Sequence, residues 1–161
     1  ENKRSWYPLP IKDKNQQLLE DYEGLRTSVN AMDDFISGLN LDADRKLIVG
    51  GFSQGAAFAL SMSFSSRHRI DGCVALSGYM PCAKIYQQHA ISVRDIFMSH
   101  GYDDKAIDYD TFQKSLKFLE NKTDKITTSV GSFGHTINKK VGDDLVSWFG
   151  QILSERRKEL A

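Results

Sequence analysis

Apolar residues recur along the chain at spacings that predict helices alternating with strands. Apolar positions three and four residues apart, from Leu18 to Leu39, predict one long amphipathic helix. Short apolar runs of strand type follow at residues 46–52, 72–76, 95–99 and 126–130. Helical segments separate or follow these strands at residues 54–65, 108–120 and 141–155. Because strands alternating with helices form parallel sheets covered on both faces, the pattern predicts an α/β fold with a doubly wound, mostly parallel sheet.

The N-terminal segment, residues 1–14, has a different character. Pro8 and Pro10 interrupt any regular element there, yet the segment carries Trp6, Tyr7, Leu9 and Ile11. We therefore expect a loop or lid that covers apolar surface. Residues 15–161 form the predicted core, and a chain of 161 residues without linkers or repeats predicts one domain with no second one.

Composition narrows the classes of partner. Lys plus Arg and Asp plus Glu are equal at 21 each, so no net charge would attract nucleic acid or an anionic membrane. Apolar runs stay well below the roughly 20 residues that span a bilayer, so we expect no stable membrane insertion. Cys73 and Cys82 lack the spacing of metal ligands, which predicts no metal site, and nothing in the sequence indicates a cofactor. A buried Cys73 thiol in a reducing, cytoplasmic location is the expectation.

One motif between a strand and a helix carries candidate chemistry. Residues 50–55 read Gly-Gly-Phe-Ser-Gln-Gly, a Gly-x-Ser-x-Gly sequence that follows the first long strand and begins a helix. Such a nucleophile elbow exposes its serine at the carboxyl end of a sheet, so Ser53 is the predicted nucleophile. The backbone N–H of Gln54, free at the start of the helix, is the predicted oxyanion donor. Gly51 and Gly55 remove the β-carbons that would collide in the tight turn.

A serine nucleophile needs a base and a carboxylate, which this fold supplies after later strands. Of four histidines, only His135 lies beyond the fourth long strand, in the Gly-Ser-Phe-Gly-His loop of residues 131–135. The acid should follow the third long strand, where Asp103 and Asp104 both stand. Spacing does not separate them, whereas Asp108 is better placed as a helix cap.

Together these residues resemble a known family. The Gly-Gly-Phe-Ser-Gln-Gly string, Ala-Leu-Ser-Gly-Tyr-Met-Pro at residues 75–81, His-Gly-x-x-Asp at residues 100–104 and the pair Gly134-His135 are similar to the acyl-protein thioesterase, or phospholipase/carboxylesterase, family of α/β-hydrolases. Ser-Trp-Tyr at residues 5–7 matches a segment that the family carries upstream of the elbow. The resemblance implies the α/β-hydrolase fold and assigns the acid to Asp104.

The sequence also departs from the family. Where the family usually has proline and then Val-Pro after the acid, residues 105–107 are Lys-Ala-Ile. The family further opens with two or three strands and a His-Gly loop that donates the second oxyanion N–H, and nothing before Trp6 supplies them. We therefore expect an N-terminally incomplete fold, with a missing N-terminal segment or a partner covering one flank of the sheet.

The resemblance implies a serine esterase or thioesterase that hydrolyses an acylated protein, a lysophospholipid or a small ester, depalmitoylation being one such reaction. Trp6, Tyr79 and Met80 are the predicted residues of the acyl pocket. Two alternatives stay open at this point. One is a catalytically inactive hydrolase-like subunit that serves as a binding or structural module in a larger complex, and the other is an acyl transferase of the same fold.

Overall fold

The fold consists of a parallel sheet with helices on both faces, preceded by a short hairpin. The computed structural model describes residues 4–12, 14, 18–42 and 45–159. The strands are β1 Ile11–Lys12, β2 Leu18–Leu19, β3 Ile48–Phe52, β4 Gly72–Leu76, β5 Asp95–Gly101 and β6 Ile126–Gly131. The helices are α1 Tyr22–Gly38, α2 Gln54–Ser65, α3 Ala83–Tyr86, α4 Tyr109–Glu120 and α5 Lys139–Glu159.

The main sheet has the order β3-β4-β5-β6, and every pair in it is parallel. In this register Phe52 of β3 lies opposite Leu76 of β4, and Leu76 lies opposite Ser99 of β5. The ends of β3 and β5, which precede the predicted nucleophile and the predicted acid, are therefore at the same edge of the sheet. This arrangement confirms the predicted α/β class and the mostly parallel sheet.

Alternate side chains of the strands enter two separate cores. Cys73, Ala75, Ile96 and Met98 point into the larger core, which α1, α2 and α4 cover. Their neighbours Val74, Leu76 and Phe97 point to the opposite face and pack against Val141, Trp148 and Ile152 of α5. All five residues of β4 are buried, as expected for a central strand with helices on both sides.

The first helix is shorter than its apolar pattern predicts. Although the periodic positions extend back to Leu18, α1 begins only at Tyr22, because the Asp21 side chain accepts a hydrogen bond from the N–H of Gly24 and caps the helix there. Leu18 and Leu19 instead form β2, which pairs antiparallel with β1. The prediction of a helix over these residues was wrong, since the cap lies inside the periodic run. In the same way, β1 falls within the segment predicted as a loop.

Other boundaries differ by smaller amounts. The predicted limits of α2 and β4 are those observed. The strand β3 begins two residues later than predicted, β5 extends to Gly101, and α5 runs from Lys139 to Glu159. Strands gain residues where a neighbour continues the ladder, as Gly101 does opposite Gly131. The single turn α3 was not predicted.

One edge of the main sheet is open among the described residues. There β3 pairs with β4 alone, and a cavity of about 500 Å³ lies beside it. The cavity is bounded by the β3 residues themselves, by α1 and α2, and by Trp6. Its apolar lining includes Met32, Phe35, Phe52, Phe58 and Met62.

Within the part of the chain that the structure describes, no helix is both long enough and apolar enough to cross a membrane.

The thiols of Cys73 and Cys82 are buried, and neither forms a disulfide. Burial raises the pKa of the Cys73 thiol to about 12, which keeps it protonated and unreactive at neutral pH.

Candidate active site

The turn between β3 and α2 places Ser53 in a strained backbone conformation. Its φ of 57° and ψ of -119° lie in a region that residues with a β-carbon seldom occupy. The N–H of Ser53 donates to the carbonyl of Leu76 at 2.8 Å, which fixes the turn to the neighbouring strand. A β-carbon on Gly51 would overlap the backbone of Gly55, so the turn closes only with glycine at that position. This is the geometry that the Gly-x-Ser-x-Gly motif predicts.

Gln54 follows as the first residue of α2, so its N–H has no carbonyl partner within the helix. Its side chain makes two further contacts that the sequence did not indicate. The Oε1 atom accepts a hydrogen bond from the N–H of Trp6 at 3.0 Å, and Nε2 donates to the carbonyl of Tyr7 at 2.8 Å. The elbow therefore holds the N-terminal segment directly.

Asp104 lies after β5 with its carboxylate buried and fully engaged. Its Oδ1 accepts hydrogen bonds from the backbone N–H groups of Ala106 and Ile107, at 2.8 and 2.9 Å. Its Oδ2 accepts one from Nδ1 of His135 at 2.7 Å. Burial alone would raise the pKa of this carboxyl, but the N–H of Ile107, the imidazole of His135 and the N–H of Ala106 outweigh burial and lower it.

Asp103, the other candidate, is exposed, and its backbone N–H donates to the carbonyl of Phe133 at 3.1 Å. That bond ties the loop of Asp104 to the loop of His135. A β-carbon on Gly101 would overlap the Phe133 carbonyl, so the two loops approach only because glycine ends β5. The structure thus brings His135 to Asp104 and leaves the Asp103 carboxylate outside this contact.

His135 lies beyond β6, half-buried beside the elbow. Its ring packs against Phe52, the residue before Ser53, with ring centroids 4.7 Å apart. Because Nδ1 faces the Asp104 carboxylate, Nδ1 carries the proton, and Nε2 is left as the basic nitrogen. A base of this kind next to a serine elbow can take up a hydroxyl proton.

A second imidazole, that of His100, which precedes the acid in the chain, lies in the same cluster. It is completely buried at the end of β5. Its Nε2 lies 2.9 Å from the carbonyl of Ile107 and 3.4 Å from Oδ2 of Asp104. The signal that could have found it is the His-Gly-x-x-Asp spacing, which places the histidine four residues before the acid.

The three residues predicted to line an acyl pocket occupy different environments. Trp6 is half-exposed at the cavity beside β3 and stacks on Phe58, with ring centroids 5.2 Å apart. Tyr79 is partly buried against the larger core. Met80 is buried within that core, and its N–H donates to Oγ of Ser115 at 2.9 Å. Trp6 contacts the elbow through its bond to Gln54.

The described ranges contain no cluster of three or more His, Cys, Asp or Glu side chains arranged to hold a metal ion. The groups assembled at this edge of the sheet are a partly buried turn serine, an imidazole and a buried carboxylate. Their arrangement suits covalent acyl transfer through the serine.

Comparison with known proteins places this geometry in a family. The family model described as phospholipase/carboxylesterase matches residues 1–148. Acyl-protein thioesterase 1 of Yarrowia lipolytica is 34% identical over 125 residues, covering 73% of this chain and 54% of that protein. Acyl-protein thioesterase 1 of Cryptococcus neoformans is 30% identical over 125 residues, covering 73% of this chain and 52% of its own length. The chain thus spans about half the length of these curated relatives.

Solved structures agree on the fold. Zea mays acyl-protein thioesterase 2 superposes with a TM-score of 0.79 at 25% identity, over 92% of this chain and 72% of that one. Esterase PE8 superposes with a TM-score of 0.74 at 22% identity, over 91% and 69% of the two chains, and so supports the fold alone. With a family model that covers most of its length and relatives of 30% identity or more, this chain belongs to the phospholipase/carboxylesterase family of α/β-hydrolases.

Proposed function

We propose that this protein is a serine hydrolase that cleaves acyl thioesters or carboxylic esters through Ser53, His135 and Asp104. The observation that carries the proposal is the 2.7 Å hydrogen bond between Asp104 and His135 beside a serine held at positive φ. Family membership and relatives named acyl-protein thioesterase support the reaction class.

The reaction has two steps. Nε2 of His135 removes the proton of Ser53, whose Oγ attacks the acyl carbonyl carbon and forms a tetrahedral intermediate. His135 then gives that proton to the leaving thiolate or alkoxide as its bond to carbon breaks, which leaves an acyl-serine ester. Water, deprotonated by His135, attacks this ester, and Ser53 recovers its proton. Asp104 holds the imidazole and stabilises the imidazolium that forms in each step.

The oxyanion of each tetrahedral intermediate would be held by the N–H of Gln54. A second donor is expected from residues next to the open edge of β3. Loss of one such donor typically lowers turnover about 10²–10³-fold. Full activity therefore depends on what completes that edge.

We also propose that the open edge of β3 is covered by a further strand, either from the natural protein or from a partner. Unpaired strand edges with apolar surroundings tend to associate with other strands. The cavity beside β3 is apolar and follows the strand along its length. That the chain spans about half of its curated relatives supports the same proposal.

The proposed substrate class is an acylated protein, a lysophospholipid or a small ester. For a long acyl chain, binding would gain about 0.8 kcal/mol for each buried methylene. Trp6 is the pocket residue that the geometry favours, since it is half-exposed and fixed next to the elbow. The role of Trp6 is tested by measuring KM for a series of esters of increasing acyl-chain length. We expect Trp6→Ala to raise KM more for long chains than for short ones.

An inactive, hydrolase-like binding subunit is the alternative that the missing flank of the sheet and the altered sequence at residues 105–107 leave open. Two N–H groups of that segment nevertheless hold the Asp104 carboxylate, so the departure from the family pattern leaves the acid in place. This contact favours the hydrolase over the inactive subunit.

The experiment is labelling of the full natural protein with a fluorophosphonate probe, which reacts with activated serines. We expect labelling of the wild type, none of Ser53→Ala, and full labelling of Ser147→Ala, an exposed serine of α5 that serves as the matched control. Unlabelled wild-type protein that turns over an acyl thioester in water without an added acyl acceptor, and yields the free carboxylic acid along with the thiol, would separate a hydrolase from an acyl transferase. Folded wild-type protein that resists the probe would refute the proposal.

A further inference from the structure

His100 is the buried group of this site whose role the mechanism above leaves open. Its side chain has no solvent exposure, and its ring stacks on Phe112 of α4 with centroids 4.9 Å apart and planes 24° apart. The ring of Tyr109 lies farther away at 6.3 Å. The imidazole is therefore held in one orientation by aromatic packing.

The neighbours of His100 Nε2 decide where its proton lies. The carbonyl of Ile107, at 2.9 Å, can only accept a hydrogen bond, and so can the Asp104 carboxylate, whose Oδ2 is 3.4 Å away. The proton is therefore on Nε2, shared between a close carbonyl and a more distant carboxylate oxygen. This Oδ2 is the same atom that accepts Nδ1–H of His135.

The contacts close a small ring around the acid. The N–H of Ile107 donates to Oδ1 of Asp104, while the carbonyl of the same residue accepts from His100. His100 thus connects the end of β5 to Ile107, which lies three residues after Asp104 in the same loop. Rotation of the carboxylate away from His135 would break its bonds to the N–H groups of Ala106 and Ile107 and its 3.4 Å contact with Nε2 of His100.

Packing alone does not explain a histidine here. Its Nδ1 is buried and, among the residues that the structure describes, has no hydrogen-bond partner. An unpaired buried nitrogen costs stability, so an apolar side chain of similar volume would fill the space better. The contacts of Nε2 account for an imidazole at this position.

We propose that His100 is a positioning residue of the hydrolase site, whose Nε2–H holds the acid loop so that Oδ2 of Asp104 stays directed at Nδ1 of His135. This inference rests on the proposed function for its consequences in catalysis, but the placement of Asp104 against His135 can be measured without turnover.

The test compares three substitutions at this position in the full natural protein. His100→Gln keeps an amide N–H near the place of Nε2, His100→Asn carries the same amide but reaches only to the place of Nδ1, and His100→Leu keeps volume without a donor. For a group that acts through another, we expect kcat to fall about 10–100-fold in the Asn and Leu variants. KM should stay unchanged, and the Gln variant should recover most of kcat. A packing role predicts the reverse order, with Leu the best replacement.

The second measurement is the downfield proton resonance of His135 Nδ1–H, assigned by its loss in His135→Gln. We expect it to persist in His100→Gln and to move upfield or exchange away in His100→Asn and His100→Leu. If the wild type fails to turn over any ester, the proposed function fails, whereas this resonance still decides the positioning role. Folded Asn and Leu variants that keep both kcat and the resonance would overturn the inference.

Should the polar substitutions unfold the protein, Phe112→Leu loosens the ring that holds His100 without removing a polar group. A fall in kcat at constant KM, with a shifted His135 resonance, would support the inference. An unchanged resonance in folded Phe112→Leu would contradict it.

Discussion

Replacing Asp104 by asparagine changes one atom and should remove most of the activity. The structure dictates how the amide would sit. Oδ1 faces two backbone N–H donors, those of Ala106 and Ile107, so the amide oxygen must occupy that position. The NH₂ group is then directed at Nδ1 of His135, where the carboxylate oxygen had been.

The consequence is a change of tautomer. Facing a donor, Nδ1 of His135 must accept a hydrogen bond, which moves its proton to Nε2, and a protonated Nε2 cannot take up the proton of Ser53. The same change in a serine protease lowers kcat about 10⁴-fold. A loss of this size corresponds to about 5.4 kcal/mol of transition-state stabilisation. Because the acid does not touch the acyl group, KM should change little.

Asp103→Asn is the matched control, since it makes the same chemical change one residue earlier on an exposed side chain. We expect Asp103→Asn to stay within about twofold of the wild type, as surface substitutions usually do. The assay is steady-state hydrolysis of a chromogenic ester and an acyl thioester, together with the rate of fluorophosphonate labelling. Thermal unfolding of each variant shows that both remain folded.

Two results would refute this reasoning. Equal losses in the two variants would mean that the acid is wrongly assigned or that the whole loop was disturbed. A folded Asp104→Asn protein with near wild-type kcat would mean that His135 does not depend on this carboxylate for its tautomer.

Two further predictions concern stability. Gly51→Ala should destabilise the fold by about 3 kcal/mol, because the added carbon overlaps the backbone of Gly55, whereas Gly142→Ala, in an open position of α5, should stabilise it by up to about 1 kcal/mol. Urea unfolding measures both, and an unaffected Gly51→Ala protein would contradict the geometry of the elbow. The lowered pKa of Asp104 means that the unfolded chain binds its proton at a higher pH than the folded protein does, so stability should fall as the pH drops below about 5 and on through the folded pKa. Asp104→Asn should make this acid-induced loss shallower, and an identical slope in the two proteins would contradict the assigned pKa direction.

The local pattern of apolar, glycine and small residues predicted many of the helices and strands, because the interactions that form them join residues a few positions apart. The limits of α2 and β4 follow from an apolar run, a tight glycine turn and the small residues after it, all adjacent in the chain. The start of α1 was mispredicted for the same reason. Periodicity continues through Leu18, but the helix begins where the Asp21 cap satisfies a free N–H.

The residues of the candidate site also divide into those that the sequence predicted and those that needed further information. Ser53 and His135 could be selected from the sequence, because Ser53 lies in the Gly-x-Ser-x-Gly motif and His135 is the one histidine of four beyond the fourth long strand. Spacing left Asp103 and Asp104 equivalent, and the resemblance to a family favoured the second. In the structure the two differ because the Asp104 carboxylate is buried against Nδ1 of His135, whereas the Asp103 side chain is exposed.

The sequence by itself determined the alternation of elements, the elbow and the order in which its candidate partners follow. Only the tertiary structure decided that Gln54 holds Trp6 and Tyr7 and that His100 contacts the acid loop. The physical reason is the distance along the chain between the residues that interact. Helix and strand patterns arise from neighbours a few residues apart, whereas these contacts join residues whose meeting depends on strand register and loop closure together.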